Sequence, residues 1–235
     1  SWERHAPEFG VVENSHDPYR HSYPLSIMIN AEGKRFVDEG EDIRNLTYVR
    51  FGKAIMGQPH YTAVQIFDQK TEFRLRDEYR IKEVTKVEAN TIEELAEGLD
   101  IPADKLKRTI EAFNAACPDQ AKIDAAYNPA ILDGIGTTGI EPAKSNWALP
   151  IDKPPYVAFV TTTGVTFTFG GLKIDDKNCV QDKADRAIPG LFAAGELVGG
   201  LFYENYPGGT GLMSGSVFGR RAGEYAAEHA RSLNA

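Results

Sequence analysis

A glycine-rich loop near the end of the chain holds the residues best suited to chemistry. The segment YPGGTGLMSG leads into a long helical pattern and contains Gly209, Thr210, Gly211 and Leu212 where that helix should begin. Glycines at this place remove side chains, so backbone amides at the positive end of the helix can meet an anionic or electron-rich group. We therefore expect these four residues to contact a bound cofactor.

A carboxylate ahead of this loop has the position expected of a second cofactor contact. The apolar run LFAAG ends at Gly195 and is followed by Glu196. Because the run lacks alternation, it predicts a strand covered on both faces, as in parallel sheets. A carboxylate at the end of such a strand can accept hydrogen bonds from ribose or ribityl hydroxyls, which suits a dinucleotide. In a flavin, the electron-rich N1–C2=O edge would face the helix. The simpler alternative is a tight turn with a solvated Glu196.

The elements that must position these groups follow a mixed pattern of class α+β. We predict a β-hairpin over 25–37, a helix over 43–57 and a strand in YTAVQIFD. Two further helices come next, because Thr91 and Glu94 fit a capping box and Pro102 suits a first helical turn. The later part of the chain is rich in Val, Thr and Phe, which is typical of strands.

Composition excludes several classes of function. The chain has 235 residues and a net charge of −8, which argues against a nucleic-acid-binding surface with its basic stripe. No apolar stretch approaches the ~18 residues that a membrane span needs. Two cysteines are too few for a disulfide framework, so we expect a reducing compartment, the cytoplasm. The histidines lack metal-ligand spacing, so we predict no metal site.

Four segments, in this order along the chain, resemble the FAD-dependent flavoprotein superfamily of fumarate reductases and succinate dehydrogenases. They are NAEGKRFVDEG, NTIEELAEGLDIPADKLKRTIEAFN, GVTFTFGGLKID and IPGLFAAGELVGGLFYENYPGGTGLMSGSVFGRRAG. Within the superfamily the chain is most similar to tricarballylate dehydrogenase-like members. The resemblance implies FAD as the cofactor and three regions: a connecting segment over 1–24, a capping or substrate domain over 25–150, and the C-terminal portion of a Rossmann-like FAD-binding domain over 151–235.

One part of the superfamily pattern is missing. Its members begin with a half that carries GxGxxG and holds the FAD pyrophosphate, and the chain shows no GxGxxG with an acidic residue ~20 positions further on. We therefore expect a fragment that lacks the N-terminal FAD-binding half, which would be its partner in the whole protein. In isolation the fragment should be inactive and should bind FAD weakly or not at all.

The resemblance also points to residues that meet the substrate. Reductases of the superfamily carry a His before a TMGG-like element and an Arg before the GG of the last loop, and these positions are Phe167 and Tyr206 here. Both depart from the pattern that grips a dicarboxylate, and we assign Thr166 and Phe167 to substrate binding. A Tyr before PGG resembles the ketosteroid dehydrogenase branch, so Tyr206 is a candidate general base or hydrogen-bond donor. Packing under the flavin loop is the alternative.

In the cap, the resemblance implies a proton-transferring arginine shortly after the strand that ends in FD. Arg74 is the nearest candidate, with Arg76 and Arg80 behind it at the spacing of one helix face. Superfamily members also place a carboxylate and an arginine on a proton path. This makes Glu39 a catalytic candidate and Arg44 its relay partner and a substrate-binding candidate. A Glu39 that stabilises a turn is the simpler alternative.

Together these residues predict part of a flavin-dependent oxidoreductase. Hydride would move between flavin N5 and a substrate carbon, interconverting a saturated and an unsaturated carboxylic acid, with tricarballylate to cis-aconitate as the best match. The flavin would also exchange electrons with a second partner, an electron acceptor that the sequence does not identify. The alternatives are a ketosteroid-type dehydrogenase, which needs an apolar pocket, and a stand-alone binding domain without catalysis.

Overall fold

The computed structural model describes residues 21–80, 86–119, 128–164 and 167–234. Most of the connecting segment 1–24 and the candidate Thr166 lie outside the described residues. The chain divides into two compact units, Ser1–Thr163 and Gly164–Ala235, called unit 1 and unit 2 below.

Unit 1 is built on a four-stranded antiparallel sheet. Its strand order is β1-β2-β4-β3, and β2 pairs with β4 along seven residue pairs, from Thr62 opposite Thr162 to Asp68 opposite Tyr156. Helices lie before, between and after the first three strands. The bounds are β1 Ile27–Ile29, α1 Arg44–Met56, β2 Thr62–Asp68, α2 Gln69–Glu72, β3 Lys86–Ala89, α3 Ile92–Leu99, α4 Ala103–Ala116 and β4 Tyr156–Thr162.

Strand β2 is the centre of this unit, since all seven of its residues are buried. Val64 and Ile66 contribute to the core on one face, where α3 and α4 pack. On the other side Phe67 lies edge-on to Tyr79 and Phe159, with ring centroids 5.7 and 5.9 Å away. A strand covered on both faces is mostly apolar, and the buried Gln65 is accommodated by a hydrogen bond that it accepts from Tyr79 Oη at 2.6 Å.

Several predicted elements are confirmed. The helix expected over 43–57 is α1, and the strand in YTAVQIFD is β2. The capping box is present in full, because Thr91 Oγ1 accepts from the Glu94 amide while the Glu94 carboxylate accepts from the Thr91 amide. The hairpin over 25–37 is reduced to β1 and a single bridge between Ile29 and Arg35.

Strand β4 belongs to unit 1 by its pairing. It lies between β2 and β3, whereas the sequence pattern assigned everything from residue 151 to the second domain. The long register with β2 gives the physical reason, since seven paired residues fix β4 to this sheet. The assignment of the two units to a cap and a flavin domain stays a prediction.

Unit 2 contains a two-stranded antiparallel sheet and a long helix, with β5 at Cys179–Gln181, β6 at Ala187–Phe192 and α5 at Thr210–Leu233. The prediction that the run around LFAAG is covered on both faces is wrong for this chain. Ile188 and Leu191 on β6 are 39% and 45% exposed. The reason is that, among the described residues, β6 pairs with β5 alone and antiparallel, so no further strand covers its other edge.

No helix among the described residues is both long and apolar enough to cross a membrane. The long helix α5 carries charged residues such as Arg220 and Glu224, which form an ion pair one turn apart.

A buried charged cluster joins distant parts of unit 1. Lys144 is almost fully buried and its Nζ donates a hydrogen bond to the Ser26 carbonyl at 2.7 Å. Glu39, also buried, accepts from the Met28 amide at 2.6 Å and forms an ion pair with Arg35 at 2.5 Å. The pKa of Lys144 is lowered to about 8, chiefly by burial; Glu39 opposes the shift and Arg35 adds to it.

This cluster predicts a specific dependence of stability on pH. Because the pKa of Lys144 is lower in the folded chain than its ordinary 10.5, the unfolded chain binds more protons between pH 8 and 10.5. The free energy of unfolding should therefore rise with pH in that window, by on the order of 3 kcal/mol from Lys144 alone. Urea unfolding of the chain and of Lys144→Met at pH 8 and 10 measures the difference in slope.

The exposed Lys105 provides the control, since Lys105→Met removes the same charge without a buried site. It should keep the slope of the parent chain. An unchanged slope in Lys144→Met would contradict the assignment.

Candidate functional site

The predicted cofactor contacts lie at the start of α5. Gly209 occupies the N-cap with φ +89° and offers no side-chain cap. The first amides of a helix lack intrahelical partners, and here the Tyr206 hydroxyl accepts a hydrogen bond from the Gly211 amide at 2.9 Å. Thr210 Oγ1 donates to the Pro207 carbonyl at 2.6 Å. The loop thus closes on its own helix through two local bonds, and Leu212 beyond it is 78% exposed.

Gly211 is required by close packing. A Cβ at this position would lie 2.3 Å from Tyr206 Oη and 3.0 Å from Phe167 Cε2, closer than real contacts allow. At Gly215 and Gly219, by contrast, a Cβ would meet no atom within 4 Å. The helix therefore presents an open, side-chain-free strip next to a tightly packed first turn.

Four rings beside this turn form what we call the aromatic cluster: Phe167, Phe169, Phe202 and Tyr206. The Tyr206 ring centroid lies 4.7 Å from that of Phe167 and 4.8 Å from that of Phe202. Phe167 and Phe202 meet edge-on at 5.7 Å, a favoured geometry for aromatic pairs. All four rings are half-buried. The structure thus brings together the sequence-predicted Phe167 and Tyr206 and adds two rings that the sequence analysis did not single out.

One of the two carboxylate oxygens of Glu196 accepts hydrogen bonds from within the chain. Its Oε1 accepts from the Thr168 amide at 2.8 Å and from Thr168 Oγ1 at 3.1 Å, while Gly195 before it has φ +79°. Oε2 accepts no hydrogen bond from the part of the chain that the structure describes, and the residue is exposed. An acceptor of this kind can take a ligand hydroxyl, as the sequence pattern predicted.

In unit 1 the structure gives Glu39 a partner other than the predicted one. Both of its oxygens are engaged, by Arg35 and by the Met28 amide. Arg44, the expected relay partner, instead places Nη1 3.3 Å from His21 Nδ1. Glu39 is fully buried and both of its carboxylate oxygens accept hydrogen bonds, which fits the simpler alternative of a structural role. The catalytic role of Glu39 stays a prediction.

Arg76 and Arg80 do not share a face of an α-helix, although their i, i+4 spacing predicted that they would. Arg76 and Arg80 flank a short 3-10 turn at Asp77–Tyr79, so the i, i+4 geometry of an α-helix does not apply. Arg76 Nε donates to Glu78 at 2.5 Å, and Arg80 Nη2 donates to the Phe73 carbonyl at 2.9 Å. The Arg74 guanidinium lies 5.0 Å from the Phe73 ring centroid, and Arg74 stays the candidate for proton transfer.

Sequence analysis missed two titratable residues. His21 was not singled out by the sequence, yet it is half-buried, and burial together with Arg44 lowers its pKa to about 4. Lys144 stands in no recognisable motif, although it is the most deeply buried lysine among the described residues. Only the tertiary structure creates these environments, so no local pattern could have found them.

The residues at the start of α5 fit a flavin. The glycine strip leaves room that any Cβ would fill, the helix begins without a side-chain cap, and Glu196 has a spare acceptor oxygen. Gly209, Gly211 and Leu212 would hold the isoalloxazine edge, and Gly195 with Glu196 would face the ribityl or ribose hydroxyls.

Comparison with known proteins agrees with this geometry. The chain is 34% identical over 207 residues to the NADH:acrylate oxidoreductase of Vibrio harveyi, covering 86% of the chain and 18% of that protein. It is 30% identical over 206 residues to a fumarate reductase (cytochrome) of Shewanella frigidimarina, covering 88% of the chain and 32% of the relative. The chain thus spans less than a third of the length of these two curated relatives.

A solved structure shows the same likeness in three dimensions. The 3-ketosteroid delta1-dehydrogenase from Sterolibacterium denitrificans, in complex with 1,4-androstadiene-3,17-dione, aligns with a TM-score of 0.64 at 29% identity. The alignment covers 89% of the chain and 40% of that structure. The profile of the family described as FAD binding domain matches residues 23–212, most of the chain. The chain belongs to this FAD binding domain family, homologous to the fumarate reductase/succinate dehydrogenase flavoproteins, and its cofactor is FAD.

Proposed function

We propose that the whole protein is a flavin-dependent oxidoreductase that interconverts a saturated and an unsaturated carboxylic acid. The observation that carries the proposal is the start of α5, where an uncapped, glycine-lined helix end adjoins the aromatic cluster and Tyr206. FAD supplies hydride transfer at N5 when bound. The names of the acrylate- and fumarate-reducing relatives support a reaction at a carbon–carbon double bond.

Tyr206 is the residue of unit 2 that we assign to the proton. Its hydroxyl oxygen accepts a hydrogen bond from the Gly211 amide, and a phenolic hydroxyl can also donate its hydrogen, here to a substrate oxygen or carbon. A phenol ordinarily keeps its proton at neutral pH, so donation is the natural role in the reducing direction, and the same group returns as acceptor in the reverse. Arg74 is the corresponding candidate in unit 1.

The narrower form of the proposal is oxidation of tricarballylate to cis-aconitate. It rests on the resemblance of YENYPGGTGLMSG and GVTFTFGG to tricarballylate dehydrogenase-like proteins. A tricarboxylate needs cations, and the guanidinium groups of Arg44 and Arg74 in unit 1 are the candidates that the resemblance and the sequence give for it.

A second candidate substrate is a cyclic ketone, as in ketosteroid-type dehydrogenation. The specific observation in its favour is the aromatic cluster, because Phe167 and Tyr206 stand where the resemblance expects His and Arg. Aromatic walls favour a flat apolar ring over a multiply charged acid. The 0.64 TM-score to a ketosteroid dehydrogenase supports the same candidate.

Expression of the full reading frame tests the proposal. We expect a yellow protein whose flavin absorbance is bleached, without oxygen, by tricarballylate or by a cyclic ketone such as 4-androstene-3,17-dione. Bleaching by the tricarboxylate alone selects the first candidate, and bleaching by the ketone alone selects the second. A colourless protein, or one that no saturated acid or ketone reduces, would instead fit a non-catalytic binding domain.

Replacement of the phenolic group isolates the proton step. Tyr206→Phe keeps the ring of the aromatic cluster but removes the donor, so turnover should fall by about 10²–10⁴-fold with little change in KM. Tyr203→Phe removes the same hydroxyl from a side chain that is 88% exposed and should leave turnover unchanged. Equal rates in the two variants would assign Tyr206 to packing alone.

The close packing at Gly211 gives a stability test of the site. Gly211→Ala forces its methyl group against Tyr206 Oη and Phe167, and we expect a loss of about 1–3 kcal/mol in the free energy of unfolding of the chain. Gly215→Ala adds the same methyl group to the same helix in open space and should stabilise by about 0.5–1 kcal/mol. Thermal unfolding of both variants measures this, and equal melting temperatures would refute the packing argument.

A further inference from the structure

Phe202 lies at the centre of the aromatic cluster. Its ring centroid is 4.8 Å from that of Tyr206, 5.7 Å from that of Phe167 and 5.9 Å from that of Phe169. Phe169, by contrast, lies 6.3 Å from both Tyr206 and Phe167. Within the cluster, Phe202 is therefore the one ring whose centroid is less than 6 Å from each of the other three. The proposed function gives this residue no role.

A strained turn joins Phe202 to Tyr206. The Asn205 amide donates to the Tyr203 carbonyl at 2.7 Å, and Glu204 between them has φ +63°. A hydrogen bond that closes three residues around a positive φ has the form of a γ-turn, which is rare and strained for a residue with a side chain. The Tyr206 amide then donates to Asn205 Oδ1 at 2.9 Å. The turn thus brings two rings four positions apart together edge-on.

The other two rings of the cluster are fixed to the segment that leads into this turn. The Gly200 amide donates to the Phe169 carbonyl at 3.3 Å. Between Phe167 and Phe169, Thr168 donates through both its amide and its hydroxyl to the Glu196 carboxylate. Because the two segments are bonded to each other, the rings that they carry form one frame.

This frame determines where the Tyr206 hydroxyl lies. Gly211 is the second residue of α5, so its amide has no partner within the helix. It donates to Tyr206 Oη at 2.9 Å. A change of rotamer at Tyr206 would carry Oη away from this amide, and the edge-on packing of Phe202 against the phenol ring opposes that change.

We infer that Phe202 is a positioning residue for the proton step, because it holds the Tyr206 ring in the orientation that keeps its hydroxyl at the first turn of α5. The inference rests on the proposed function, which assigns the proton to Tyr206. It adds a residue that the sequence analysis did not single out and that acts through Tyr206. A reacting group displaced by about 1 Å can lose about 10²-fold in rate, so loss of this packing should be visible in turnover.

Amide hydrogen exchange of the 235-residue chain, followed by NMR, tests the packing without flavin. Tyr206→Phe removes the acceptor of the Gly211 amide and should speed exchange of that amide by about tenfold, as for the loss of one hydrogen bond. Phe202→Leu should speed it by a similar factor.

Phe192→Leu is the matched control, because it truncates another half-buried ring of unit 2, one that meets His229 outside the aromatic cluster. It should leave exchange of the Gly211 amide unchanged. An unchanged rate in Phe202→Leu, or an equal acceleration in Phe192→Leu, would overturn the inference.

Turnover of the full-length flavoprotein tests the consequence for the proton step. Phe202→Leu should lower kcat by about 10–10²-fold with little change in KM. In the Tyr206→Phe background the same substitution should have no further effect, since the group that it positions is already gone. Unchanged turnover in Phe202→Leu, or an equal loss in both backgrounds, would contradict a positioning role. If Phe202→Leu does not fold, Phe202→Met replaces it in both experiments, because an unbranched side chain adapts to an irregular gap.

These experiments fail separately from the proposed function. Faster Gly211 exchange in Phe202→Leu together with an inert full-length flavoprotein would leave Phe202 as the residue that positions Tyr206 and would refute the redox proposal. An active full-length enzyme whose Gly211 amide does not respond to Phe202→Leu would do the reverse.

Discussion

The seven-residue pairing of β2 with β4 is the constraint on which unit 1 depends. It joins residues 88 to 100 positions apart in the chain, from Asp68 with Tyr156 to Thr62 with Thr162, and the loop-closure entropy of such a contact must be offset by burial. The offset comes from the two faces of β2, which α3 and α4 cover on one side and aromatic rings cover on the other. Asp68 at its end accepts from the Asp152 and Lys153 amides, which fixes the register.

Local features of the sequence were the ones that could be predicted. The capping box at Thr91 and Glu94 depends on residues three apart, so its signal lies in the sequence itself. The start of α5 at Gly209 is likewise set by neighbouring glycines. Burial of β6 was predicted wrongly, because coverage depends on which elements come to lie beside a strand. The ion pair of Glu39 with Arg35, four positions before it, was missed because the resemblance implied Arg44 as the partner of Glu39.

The residues of the candidate site also divide into those that the sequence could identify and those that it could not. Phe167 and Tyr206 were identified because they stand at the positions of the superfamily's His and Arg, and the structure puts their rings in contact. Phe202 and His21 stand in no sequence motif that would have identified them. Their importance arises from contacts with residues distant in the chain, such as Phe202 with Phe167 and His21 with Arg44. Side-chain environments of this kind are products of tertiary packing, whereas helix caps and tight turns are products of local sequence.

The 24-residue helix α5 has no buried residue within this chain. Its backbone hydrogen bonds are therefore protected mainly by helix cooperativity, and its glycines, Gly211, Gly215, Gly219 and Gly223, each weaken that protection. Segments with few buried apolar contacts open at lower free energy than core strands, so we expect α5 to open before the strands of unit 1. Because helix formation is cooperative, a contact that orders the first turn of α5 also favours the turns that follow it.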